Sequence, residues 1–172
     1  MGSTSDIGFA DAVFAETSGH PYLTVNVLVD FFQWMIEERR RAGELHLHAE
    51  DFRKFARARL TPDKLRVSGE YDFFKNAVSE ALGEATQRDN PWLFVVYRTL
   101  QEIARESPDG LECSRARYDE LAEPLVEPLG WDPAYILNGA TMANFLRADK
   151  GVRPAIPILA RIAAVCRPRR VY

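Results

Sequence analysis

The 172-residue chain has only two cysteines, Cys113 and Cys166, and no long apolar run. Two cysteines are too few for a disulfide framework and fit a reducing cytoplasm. The N-terminal sequence MGSTSDIGFADAV lacks a basic segment followed by an apolar core, so it predicts no secretory signal. The densest apolar stretch, VNVLVDFFQWMI, contains Asn26, Asp30 and Gln33 and is too short to span a membrane. We therefore predict a cytoplasmic protein without a membrane partner.

Motifs for catalysis and metal binding are also lacking. The sequence contains no GxxxxGK[ST], GxSxG or HExxH pattern, and Ser114 and the two cysteines have no histidine nearby. His46 and His48 are two residues apart, but nothing in the sequence specifies a third ligand. We interpret them as solvated loop histidines. The sequence thus predicts no enzyme activity, no metal and no cofactor bound by this chain alone.

Charge and composition indicate a globular domain. The net charge is −3 and the pI is about 5.7, which gives no general reason for binding nucleic acid or an anionic membrane. Only residues 111–172 carry a basic excess, with nine basic and seven acidic side chains. Hydrophobic residues make up 47% of the chain, enough to form a core.

Hydrophobic periodicity in the first half predicts helices and no strand. Apolar residues recur at spacings of three and four, which places them on one face of a helix. The predicted helices cover residues 6–17, 21–41, 49–60 and 68–85. We place a junction at QRDN, residues 87–90, and predict a helical domain over 1–88 and a second domain over 89–172.

The second half carries clear helix-start and turn signals. Asn90, Ser114 and Asp132 each precede a predicted helix as an N-cap, and Pro124 and Pro128 should bend or split the second of these helices. Residues 111–113 predict a very short strand, and the Asp149-Lys150-Gly151 turn predicts a β-hairpin. With a last helix from about residue 157, the order is that of a winged helix-turn-helix. The predicted fold class is therefore mostly α, a helical bundle followed by a winged helix with a small hairpin.

Two segments resemble one family. TSGHPYLT, residues 17–24, resembles the GGHPYL segment that follows the nucleotide-binding core in prokaryotic STAND-type and related AAA+ ATPases. ANFLRADKGVRPAIPILARIA is similar to the wing that follows the helical lid in those proteins. The resemblance spans residues 15–41 and 91–165, in the family's order. It implies a helical lid plus winged helix whose Gly-x-Pro corner, here Gly19, His20 and Pro21, lies near the adenine of ADP when an ATPase core is present.

The same resemblance has clear departures. The phosphate-binding loop is lacking, so the chain is similar to the C-terminal part of such an ATPase without its catalytic core, and ATP or ADP is implied only for a full-length parent. Many STAND proteins place a winged-helix histidine on the ADP phosphate, but the histidines here are 20, 46 and 48. We therefore predict a non-catalytic regulatory module that couples nucleotide state to a protein partner or effector.

Two alternatives remain open at this stage. A winged helix can read DNA with its second helix of the turn, here DPAYILNGATMA, which carries no Lys or Arg. Backbone contacts to DNA would then come from basic residues of the wing and the tail: Arg147, Lys150, Arg153, Arg167, Arg169 and Arg170. The other alternative is a plain oligomerisation module. Exposure of Trp34 or Trp92 would mark a protein interface, whereas burial would assign them to the core.

Overall fold

The computed structural model describes residues 3–38 and 47–170, with side chains from Gly8 onward. Within these ranges the α-helices are α1 (Ser3–Thr17), α2 (Pro21–Glu38), α3 (Ala49–Arg59), α4 (Pro62–Val67), α5 (Asp72–Ala81), α6 (Glu84–Asp89), α7 (Pro91–Glu106), α8 (Arg115–Val126), α9 (Pro133–Met142) and α10 (Pro157–Val165). The strands are β1 (Leu146–Ala148) and β2 (Val152–Pro154), and Glu127–Leu129 forms a 3-10 helix. The predicted fold class, mostly α with one small hairpin, is confirmed.

The helices of the first half bury the faces that periodicity predicted. Leu23, Val27, Phe31 and Met35 line the buried side of α2, at spacings of four residues. The predicted end of this helix at Arg41 lies outside the described residues, as does His46. In the described part of the chain, no helix combines the length and the apolar composition that crossing a membrane requires.

One predicted helix is in fact two. The expected helix over 68–85 begins only at Asp72 and ends at Ala81, and a separate short helix, α6, follows. Gly83, in extended conformation, separates the two and acts as the N-cap residue of α6. The predicted break at 87–90 was placed too early, because residues 87–89 are helical and the chain turns only at Asn90.

The predicted N-caps of the second half are confirmed. The Asn90 side chain accepts a hydrogen bond from the N–H of Leu93 at 3.3 Å, and Ser114 accepts from Arg117 at 3.1 Å. Asp132 accepts from the N–H of Ala134 at 2.7 Å. Each bond satisfies one of the free N–H groups of a helix start.

Pro124 and Pro128, which were predicted to bend or split one helix, have different effects. Pro124 lies inside α8, which continues to Val126. The helix gives way to a 3-10 turn that contains Pro128 and ends at Gly130 in the left-handed region. The predicted split therefore occurs at Pro128 and not at Pro124.

The hairpin forms with Leu146 opposite Pro154, Arg147 opposite Arg153 and Ala148 opposite Val152. Cys113 adds a third, single-residue strand, because it exchanges both backbone hydrogen bonds with Val152, at 2.9 and 2.8 Å. The order α7, Cys113, α8, α9, β1, β2 is that of a winged helix-turn-helix.

Two hydrophobic clusters make up the core. One fills the space between the first five helices, and the other lies among α7, α8, α9 and the hairpin. Helix α10 belongs to both: Ile158 and Ile162 face the first cluster and Ala160 the second. The predicted domain boundary at 88/89 falls just before α7 and stays a prediction.

Candidate functional site

The predicted Gly-x-Pro corner is a tight left-handed turn between α1 and α2. Ser18 and Gly19 have φ values of +50° and +71°, a region that favours glycine. The N–H of Ser18 still bonds back to the carbonyl of Phe14 at 2.7 Å, and that of His20 bonds to Thr17 at 3.0 Å. The chain thus ends one helix and starts the next within three residues.

Thr17 holds the corner together. This buried hydroxyl donates to the carbonyl of Val13 at 2.9 Å and accepts from the hydroxyl of Thr24 at 3.0 Å and the N–H of Gly19 at 3.3 Å. It therefore joins the last turn of α1 to the first turn of α2. Sequence reasoning missed Thr17, although its position just before the Gly-His-Pro step was the available signal.

His20 acts as the N-cap of α2. Its Nδ1 accepts the N–H of Leu23 at 3.4 Å, and its ring packs edge-on against Phe74, with centroids 5.7 Å apart. Pro21 has no N–H, and the N–H of Leu23 is already bonded to His20. Few free N–H groups therefore remain at the start of α2 to bind an anion. Gly19, His20 and Pro21 as nucleotide contacts stay a prediction that requires an ATPase core.

Replacing Gly19 by alanine should lower the free energy of unfolding by about 1–2 kcal/mol, because an L residue is strained at positive φ. The added Cβ would also lie 2.7 Å from Cε2 of Phe14, which must move aside. Urea unfolding would measure the loss. Gly69→Ala is the control, since its Cβ meets nothing closer than 3.7 Å. Equal stability of the two variants would contradict a strained corner.

The two segments that carry the family resemblance meet in space. Arg147 Nη2 of the wing donates to Ser18 Oγ of the corner at 3.4 Å. A second link joins α1 to α10, where Arg161 Nε donates to Glu16 Oε1 at 2.6 Å. Both members of this second pair are largely buried, so it is better shielded from water than a surface ion pair. The corner and the winged region are therefore connected at two points.

Beside the corner, α2 presents a stripe of exposed apolar side chains. The stripe residues follow one another at spacings of three, four, three and four, so they lie on one face of the helix. They are Tyr22 (73% exposed), Val25 (57%), Val29 (43%), Phe32 (37%) and Ile36 (69%). Phe14 of α1, 60% exposed, extends the same face. We call these six residues the α1–α2 face.

An apolar groove of about 610 Å³ lies between α1 and α2 at the edge of this face. Of the six face residues, Phe14 and Val25 line it, and Gly19 and Pro21 of the corner line it as well. Among the residues that the structure describes, none that lines the groove is charged. The corner is therefore part of the groove, a juxtaposition that sequence spacing alone did not indicate.

The six basic residues predicted for nucleic-acid contact differ in whether they already have a hydrogen-bond or ion-pair partner in the structure. Three of them already have partners: Arg147 bonds to Ser18, Arg153 pairs with Asp149 at 2.9 Å, and Arg169 pairs with Glu80 at 2.9 Å. All six side chains are exposed, including those of Lys150, Arg167 and Arg170. Their role in binding DNA stays a prediction.

Helix α9, which the DNA-binding alternative predicted as the reading helix, exposes only uncharged side chains. Tyr135 and Met142 are 56% and 89% exposed, and Asn138 is exposed between them. Trp34 and Trp92 are half-buried and pack against aromatic neighbours, namely Phe31 and Phe55 for the first and Phe145 for the second. These two tryptophans therefore belong mainly to the core and do not mark a protein interface.

Comparisons of the chain with protein-family models, curated proteins and solved structures find no significant match.

Proposed function

We propose that this chain is a non-catalytic regulatory module, a helical lid with a winged helix, that docks onto a P-loop ATPase core in the cytoplasm. It couples the nucleotide state of that core to a protein partner or effector. The observation that carries the proposal is the apolar α1–α2 face, which contains the Gly-x-Pro corner in its groove.

The size of the face supports a protein partner. Its six side chains expose on the order of 700 Å² together, more than the largest apolar patch of a typical monomer. One side of a standard protein interface buries about 800 Å². A partner that covers the α1–α2 face and also enters the groove at Phe14 and Val25 contacts Gly19 and Pro21, because both line the groove.

The links between the corner and the winged region support transmission of a signal. Arg147 bonds to Ser18, and Arg161 joins α10 to Glu16 of α1. A shift of the core against the corner therefore moves the wing with it, in the manner of a rigid-body switch. The wing and the exposed, uncharged side of α9 are the surfaces that this motion presents to an effector.

Site-specific photo-crosslinking in the native host tests the proposal. With p-benzoylphenylalanine in place of Tyr22, we expect a crosslink to a polypeptide segment that contains GxxxxGK[ST]. The yield should differ between ADP and a non-hydrolysable ATP analogue. The same substitution at Met142 of α9, which is 89% exposed, is the control and should not reach the core.

Two results would contradict the proposal. One is a Tyr22 crosslink to a second copy of this chain, which would favour an oligomerisation module. The other is tight, salt-dependent DNA binding that is lost in Arg147→Ala with Lys150→Ala, which would favour a DNA-binding regulator.

A further inference from the structure

A second cleft, separate from the α1–α2 face, lies where α4, the end of α7 and the end of α10 meet. It has a volume of about 500 Å³, within the range of small-molecule sites. Three arginines line it, Arg66, Arg105 and Arg167, one from each of these parts of the chain. Among the described residues none that lines it is acidic, and Pro62 and Pro108 form apolar walls. The cleft therefore concentrates positive charge in a protein whose net charge is −3.

The three guanidinium groups keep hydrogen-bond donors for a ligand. Arg105 Nε donates to the carbonyl of Ala164 at 3.0 Å, which fixes the side chain and leaves its two terminal nitrogens. Its closest carboxylate, Glu102, is 3.9 Å away and belongs to a better pair with Arg98 at 3.1 Å. Arg105 is therefore oriented but not neutralised.

Arg66 and Arg167 also keep hydrogen-bond donors that a ligand could use. Arg66 pairs only with Asp63, at 3.1 Å, and the Asp63 side chain is 91% exposed, so the pair is weak. Arg167 forms no ion pair with any residue in the described ranges, 3–38 and 47–170. It follows Cys166, the C-cap of α10, and with Arg105 it offsets the negative end of that helix.

We propose that this cleft binds a small phosphorylated molecule through a di- or triphosphate group. Guanidinium groups bind phosphate oxygens in bidentate fashion, and three of them match the charge of a polyphosphate better than that of a single carboxylate. The apolar walls give room for the remainder of the ligand. This site does not depend on the Gly-x-Pro corner or on an ATPase core.

The surroundings favour a small ligand over a nucleic acid. A nucleic-acid backbone needs a basic stripe that extends beyond one pocket. Here Asp63, Glu102 and Glu106 follow or precede the arginines on their own helices. They pair with Arg66, Arg98 and Arg117, so in the described part of the chain no basic stripe extends out of the cleft. The positive charge is therefore local.

Calorimetric titration of the full chain with pyrophosphate tests the site. We expect saturable binding that weakens about tenfold in Arg105→Gln and again in the double variant with Arg66→Gln, because each loses a charge-assisted contact. Arg88→Gln is the matched control, an exposed arginine whose carboxylate partner is Asp89 and which lies outside the cleft. Arg66→Gln alone removes only an exposed ion pair, so it keeps the test valid if Arg105→Gln is unstable.

The source of the phosphate group is distinguished by titrating ADP in parallel. ADP binding that follows pyrophosphate binding through the arginine variants, and is unchanged in Gly19→Ala, assigns the nucleotide to this cleft. ADP binding lost only in Gly19→Ala belongs to the corner and does not support the cleft. Absence of pyrophosphate binding at millimolar concentration, or equal binding by the wild type and the double variant, would overturn the proposal.

Discussion

Replacing Gln101 by leucine is expected to lower the free energy of unfolding by about 3 kcal/mol. Gln101 lies on α7, fully buried, and its Nε2 donates to the carbonyls of Ala163 at 2.7 Å and Cys166 at 3.0 Å. These carbonyls belong to the end of α10, where the free carbonyls of the last turn need donors from elsewhere. Leucine fills the space but leaves the buried Cys166 carbonyl without a partner, whereas the Ala163 carbonyl keeps only the N–H of Cys166 at 3.2 Å.

Two further variants make this prediction specific. Gln101→Glu should also destabilise, because its carboxylate can keep the contact that Arg98 Nη1 makes with Oε1 at 2.5 Å but cannot donate to the two carbonyls. Gln87→Leu on the exposed surface of α6 is the control and should change stability by less than about 0.5 kcal/mol. Urea unfolding followed by circular dichroism measures all three. A loss below about 1 kcal/mol for Gln101→Leu would show that water replaces the amide at the end of α10.

The position of α10 explains why hydrogen bonds at its C-terminal end contribute to the stability of the protein. Its buried residues contribute to both hydrophobic clusters, and Arg161 in its middle reaches Glu16 of α1. Loosening its C-terminal turn therefore weakens the packing between the helices of the first half and the winged region. The lower free energy of unfolding should appear as a single cooperative transition whose midpoint lies at a lower denaturant concentration.

Local signals predicted the second half of the fold well. Asn90, Ser114 and Asp132 each bond to an N–H only two or three residues ahead, so the sequence contains both partners of each cap. The Asp149-Lys150-Gly151 turn likewise determines the hairpin locally. Two local features were not predicted correctly: the separation of α5 and α6 at Gly83, and the continuation of α8 through Pro124.

The candidate sites were less accessible to sequence reasoning, because their residues are far apart in the chain. The bond between Arg147 and Ser18 spans 129 residues, and that between Gln101 and Ala163 spans 62. Periodicity assigns a residue to a face of its helix but does not say which other face it meets. The corner was found because its three residues are consecutive, whereas the groove beside it depends on how α1 and α2 pack.

The spacing of apolar residues in α2 also did not reveal which of its side chains are exposed. Tyr22, Val25 and Phe32 follow helical spacing as well as the buried residues of α2 do, so an apolar count alone assigns the whole helix to the core. Only the packed structure separates the buried line from the exposed one.

Replacing Tyr71 by phenylalanine is expected to lower the free energy of unfolding by about 2–3 kcal/mol near neutral pH. The Tyr71 hydroxyl donates to Oδ2 of Asp30 at 3.0 Å, and both side chains are buried in the first cluster. Without the hydroxyl, the buried Asp30 carboxylate loses its hydrogen-bond donor and is left beside the charged cleft that Arg59 and Glu70 line with it. Tyr118→Phe is the matched control, because its buried hydroxyl reaches only the neutral carbonyl of Pro133 at 3.4 Å, and its loss should be under about 1 kcal/mol.

The pH dependence separates this charge effect from simple loss of packing. Burial raises the pKa of the Asp30 carboxyl above its ordinary value, and the hydrogen bond from Tyr71 opposes that rise. Since the native state then holds the Asp30 proton more tightly than the unfolded chain, this residue's contribution to stability falls as pH increases from about 4 through its raised native pKa. The cost of Tyr71→Phe should therefore grow as pH rises from the native pKa of Asp30 in the wild type to its still higher native pKa in the variant, and in an Asp30→Asn background it should be smaller and independent of pH. Urea unfolding at several pH values, arranged as a double-mutant cycle, measures the difference. A cost of Tyr71→Phe that is the same at pH values below and above this window would contradict a charged Asp30 in the core.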